Sequence, residues 1–156
     1  MPRLIKRGVI TEDPWLPANP AADTAAPGHI CTLEQWQRLV EKSGSAVQLE
    51  PGQEPLPLFD DLAKILLVVI NFPVFTDGRG FSYGRDLREH GYTGELRAAG
   101  YFIRDQLTYL SRCGFDAFQL TDESGLEAAL DSFQDFSEHY QAAIDQPLPL
   151  FRRRLP

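Results

Sequence analysis

The most hydrophobic segment of the chain is ILLVVINFPVF (Ile65 to Phe75), and its first six residues, Ile65 to Ile70, are uninterrupted by a polar group. A continuous β-branched and aliphatic run bounded by a proline is what a strand covered on both faces looks like, so the pattern predicts a central strand over Ile65 to Asn71. Shorter strands are expected at Ala46 to Leu49, Glu95 to Ala99 and Ala117 to Leu120. Helical spacing fills the intervals. Thr32 and Gln35 have capping-box spacing ahead of Leu33, Trp36, Leu39 and Val40, and Ser43-Gly44 ends that helix. A short helix is expected over Leu56 to Lys64 with Phe59, Leu62 and Ala63 inward, then one from Ser82 to His90 stopped by Gly91. Ile103, Leu107 and Leu110 mark a helix from about Tyr101 to Cys113, closed by Gly114. A long last helix to about Ala143 is expected from the Ser124/Glu127 capping box and from Leu126, Leu130, Phe133, Tyr140 and Ile144.

Strands alternating with helices imply β-α-β crossovers, hence one α/β domain with a mainly parallel sheet of about four strands over residues 31–145. Ahead of it, Leu4-Ile5 and Val9-Ile10 flank Gly8 as a hairpin or an added edge strand. From Pro14 to Gly28 (PWLPANPAADTAAPG) prolines remove backbone donors, and an extended connector is expected, pinned to the body by Trp15. Residues 146–156 (QPLPLFRRRLP) form a Pro-broken basic tail whose Leu148, Leu150 and Phe151 suit docking on this domain, a second copy or another protein.

At 156 residues, with 43% hydrophobic and 24% charged residues, the chain is sized for one globular domain. Its net charge of -7 opposes general affinity for nucleic acid or anionic membrane, so an anion site has to be local. The longest apolar run is far shorter than the roughly 20 residues that span a bilayer, no signal-peptide pattern opens the chain, and a cytoplasmic location is expected. Two cysteines, Cys31 and Cys113, are too few for a cubane iron-sulfur cluster on this chain alone, and a disulfide between them is unexpected in a reducing compartment. His29, His90 and His139 show no zinc-ligand spacing, so neither cluster nor metal is expected, and no cofactor is identified.

The stretch FTDGRGFSYGRDLREHGYTGELRAAG (Phe75 to Gly100) carries the candidate chemistry. If the loop after the central strand and the turn at Arg97 to Gly100 share the carboxyl edge of the sheet, Arg79, Arg85 and Arg97 can converge on a small oxyanion. Gly80 and Ser82 would then offer backbone and helix-start N–H groups. Asp77 or Asp105 would move a proton. The structural alternative is that Asp77, Asp86, Glu89 and Glu95 pair with Arg79, Arg85, Arg88 and Arg97. Gly78-x-Gly80-x-x-x-Gly84 matches a dinucleotide fingerprint only loosely, having one residue too many before the third glycine. Cys113, near a helix C-terminus, reads as a packed residue rather than a nucleophile.

Three blocks, FTDGRGFSYGRDLR (75–88), GYTGELRAAG (91–100) and DQLTYLSRCGFDAF (105–118), resemble a bacterial family of unknown function whose members are labelled probable oxidoreductases involved in sulfite reduction. Gly84 departs from the alanine that the resemblance leads one to expect. The resemblance implies an auxiliary role in assimilatory sulfate and sulfite reduction, with sulfite reductase or another sulfur-assimilation protein as partner, and a homo-oligomer is compatible with it. It brings no catalytic residues. Two functions therefore stand side by side: an oxidoreductase component holding a small anion, and a noncatalytic adaptor docking on the reductase.

Overall fold

The structure is a computed structural model, described over residues 1–133 and 142–153. Strands β1 (Arg3–Lys6), β2 (Val9–Glu12), β3 (Cys31–Thr32), β4 (Ser45–Leu49), β5 (Ile65–Phe72), β6 (Glu95–Gly100) and β7 (Ala117–Leu120) form one sheet in the order β2-β1-β7-β6-β5-β4-β3. From β3 to β7 the strands are parallel and follow chain order, whereas β1 runs antiparallel to both β2 and β7. The expected α/β class holds, with a larger sheet than the four strands expected. Two of the additions are the N-terminal hairpin, whose Arg7 and Gly8 both take positive φ (49° and 76°), the turn that matches strand twist. The third, β3, has two residues and is too short to leave a periodic signal.

Helices α1 (Leu33–Gln37), α2 (Arg79–Glu89) and α3 (Leu107–Arg112), with a 3-10 helix at Leu56–Lys64, connect the parallel strands, and α4 (Leu126–Ser132) follows β7. The Thr32/Gln35 capping box forms: Gln35 N–H donates to Thr32 Oγ1 at 3.2 Å and Thr32 N–H to Gln35 Oε1 at 2.8 Å. α1 ends early, however, leaving Val40 fully exposed. In the 3-10 helix Leu58 and Leu62 point inward while Ala63 is exposed, as its tighter winding requires. Asp122, not Ser124, caps the 3-10 turn ahead of α4, accepting from Ser124 N–H at 2.9 Å. Of the long helix expected to Ala143, α4 covers Leu126–Ser132, Ala142 and Ala143 are not helical, and 134–141 lie outside the described residues. In the tail, a four-residue helix α5 spans Leu150–Arg153.

Successive right-handed crossovers along strands in chain order place every connecting helix on the same face. There Val68, Ile70 and Phe72 pack with Trp36, Leu58, Leu87, Leu107, Leu110 and Leu126. The opposite face, formed by Ala46, Leu67 and Val69, is covered by the connector through Ile30, Trp15 and Ala18. Gln35 ties this cover down, donating from Nε2 to the carbonyls of Asn19 and Ala22, both at 2.8 Å. With no reversal of order among the parallel strands, the sheet lacks the switch point at which doubly wound folds open a crevice.

Candidate functional site

The loop after β5 carries its own anion. Asp77 Oδ1 accepts from the backbone N–H of Arg79 at 3.1 Å, and the Arg79 guanidinium donates to both carboxylate oxygens, at 3.0 and 2.7 Å. The first amide of α2 is thereby taken by Asp77, where an external oxyanion was expected to sit. Those bonds from Arg79, side chain first and backbone second, hold the Asp77 carboxyl below the usual aspartate range. Gly80 is buried, and a Cβ there would lie 2.6 Å from the Phe72 ring and 2.9 Å from Ile70. It lets α2 lie close on β5 rather than admitting a ligand. Because α2 begins at Arg79, Ser82 falls inside its first turns, not at its start.

Arg97 departs furthest from expectation. It lies within β6, opposite Val69 and Ala117, on the connector-covered face, and is 1% exposed. Nη1 and Nη2 clasp Asp13 at 2.7 and 3.0 Å, Nε and Nη2 meet Glu95 at 3.0 and 2.8 Å, and Nη1 also reaches Gln119 Oε1 at 3.5 Å. Lys6 adds a contact of 2.6 Å to the second Glu95 oxygen. A guanidinium has five N–H groups, and these five bonds use them all. Arg97 therefore staples the start of the connector to the sheet and has no donor left for an oxyanion.

The remaining candidates are spread along the helix-bearing face. Arg88 donates to the carbonyls of Gly114, Tyr92 and Gly94 and pairs with Asp116, so it too is structural. Ser82 and Arg85 do meet, in a hollow of about 160 Å³ shared with Asp86, Tyr109 and Cys113. Arg85 is half-exposed and its contact with Glu89 is long, at 3.9 Å. Cys113 is buried, which pushes its thiol pKa up and keeps it protonated. Asp105 is exposed in a 3-10 turn, Arg104–Gln106, whose Gln106 donates to Phe75 O at 3.0 Å. Among the described residues no group of three or more His, Cys, Asp or Glu is placed to hold a metal, and no helix is long and apolar enough to cross a membrane.

Two features of the carboxyl edge escaped the sequence. Val74, Phe75, Tyr101 and Ile103, on the loops after β5 and β6, are between 47% and 60% exposed, and three of them border a shallow apolar groove with Leu120. Across Gly100 and Thr121 from that groove, a cavity of about 350 Å³ opens on the connector-covered face between Trp15, Asn71, Ala99 and Gln119. The sequence signal for it was slight: single amides, Gln48, Asn71 and Gln119, in otherwise apolar strands.

The model of the bacterial protein family of unknown function DUF934 matches residues 46–151. The chain belongs to this family. The DUF934 match spans β4 to β7 and the helices between them, and so takes in Asn71, Gln119 and the apolar rim but not the connector that roofs the cavity. No curated protein and no solved structure matches the chain significantly.

Proposed function

We propose that the protein is an auxiliary component of assimilatory sulfite reduction that works by docking on the reductase through the carboxyl edge of its sheet. The pathway comes from the resemblance of residues 75–118 to proteins carrying that label. The docking role rests on one observation: four large apolar side chains, Val74, Phe75, Tyr101 and Ile103, project about half-exposed from two loops at one edge. Such a cluster is removed from water when a partner covers it. Meanwhile Arg79 and Arg97 are held by carboxylates of this chain, which supports an adaptor over an oxyanion enzyme.

A second function keeps one observation in its favour, the hollow where Ser82 and Arg85 meet. An oxidoreductase component holding sulfite would use it, without Asp77, which Arg79 clasps, or Asp105, neither of which lines it. Titration calorimetry separates the two. Purified protein is titrated with assimilatory sulfite reductase, and separately with sulfite. Adaptor function predicts a complex that the double substitution Phe75→Ser/Tyr101→Ser abolishes while the circular dichroism of the monomer is unchanged. No complex, together with sulfite binding that Arg85→Ala removes, overturns it.

A further inference from the structure

The cavity beneath Trp15 has a chemistry that the docking role does not use. Its floor is a row across three neighbouring strands, Asn71 on β5, Ala99 on β6 and Gln119 on β7, in direct register. Two strand spacings put the flanking Cα atoms roughly 10 Å apart, and the methyl of Ala99 leaves the space between the two amides open. Trp15, packed on the neighbouring Leu67 and Val69, supplies an aromatic side chain to the same lining.

The orientation of each amide is set from behind. Glu50 accepts from Asn71 Nδ2 at 2.7 Å and from Gln48 Nε2 at 2.5 Å, which turns both nitrogens toward Glu50 and leaves the amide oxygens as acceptors for a guest. Gln119 is turned the other way. Its Oε1 faces Arg97 Nη1, which leaves its Nε2 as a donor. Gly100, at φ 104°, completes the mouth: a Cβ there would press within 2.8 Å of Asn71 Oδ1 and 2.4 Å of Phe72 O. The one charged residue in the lining, Asp13, has both oxygens clasped by Arg97, so the cavity attracts neither anion nor cation.

An acceptor on Asn71 and a donor on Gln119, flanking Ala99 with an indole in the same lining, complement a neutral planar ring that offers both an N–H and a C=O. We infer that this cavity binds a planar lactam or imide heterocycle, its ring N–H donating to Asn71 Oδ1, its carbonyl accepting from Gln119 Nε2, and its face against Trp15. The site adjoins the apolar rim across Gly100 and Thr121 and is distinct from the Ser82/Arg85 hollow.

The test uses the full chain and four probes: uridine, guanosine and riboflavin, which carry the lactam edge, and adenosine, which does not. The readout is the Trp15 indole N–H signal in a ¹⁵N-labelled sample, with buried Trp36 as internal control. At least one lactam ring shifts Trp15 and not Trp36, and adenosine shifts neither. Gln119→Glu keeps the acceptor toward Arg97 but removes the donor, and weakens binding roughly tenfold, the scale of one hydrogen bond. Ala99→Leu fills the floor and abolishes binding, while Arg85→Ala leaves it intact. The inference is overturned if no lactam ring moves Trp15, if adenosine binds as well as the others, or if Gln119→Glu retains full affinity.

Discussion

Arg97 carries a fixed charge on a planar fork, and each of its N–H groups meets an acceptor in a place from which water is excluded. Removing it strands carboxylates rather than freeing a site. Arg97→Met leaves Asp13 buried and unpaired, with Glu95 retaining Lys6, and is expected to lower stability by about 3 kcal/mol in urea unfolding. Adding Asp13→Asn removes the stranded charge, so the double variant should lose less than the sum of the singles. Strict additivity would deny the staple. Asp77 gives a second test at this scale. Its pKa is depressed, first by the Arg79 side chain and then by the Arg79 backbone N–H, so the Asp77–Arg79 contact is in place above the ordinary aspartate value of about 3.9 and is lost as pH falls through the folded one. A carboxyl NMR titration should find Asp77 below that reference, and Arg79→Gln should bring it back up.

At the scale of elements, α2 is held on the sheet by two glycines with distinct neighbours: Gly80 against Phe72, and Gly84 against Phe115, whose ring would lie 2.4 Å from an added Cβ. Gly84→Ala therefore sets a helix-propensity gain of about 1 kcal/mol against overpacking of about 1–3 kcal/mol at a buried aromatic. A net loss near 1 kcal/mol is expected in thermal unfolding, and a gain would mean that Phe115 yields freely. From sequence alone this glycine reads as a slightly loosened helix, because the ring it accommodates comes from beyond β6, 31 residues along. The strand β5 was legible for the opposite reason: it is a local apolar run needing no knowledge of its neighbours. β3 was not, since two residues carry no period, and α1 ran short because spacing alone does not show that Val40 faces water.

The whole molecule is a sheet with two unequal covers, helices on one face and a Pro/Ala-rich strap on the other. That inequality explains why the candidate site was misread. A monotonic strand order sends Arg79 and Arg97 to different faces, and the strand alternation that places Arg97 beside Asp13 links residues 84 positions apart, a pairing that charge spacing cannot reveal. It also predicts how the protein comes apart. The strap is anchored by Asp13, by Gln35 and by Trp15 over Leu67 and Val69, and it is closed on itself at Leu16, whose N–H donates to Gly28 O and whose carbonyl accepts from Ile30 N–H, both 2.9 Å. Trp15→Ala uncovers the apolar residues beneath it and should lower global stability by about 2 kcal/mol. In native-state hydrogen exchange the Leu16 and Ile30 amides should exchange with a lower opening free energy than the amide of Val69 in β5, because the strap opens as a unit of lower stability than the sheet it covers. Equal opening free energies at all three amides would show instead that the strap and the sheet unfold together, and that the cavity roof is as permanent as its floor.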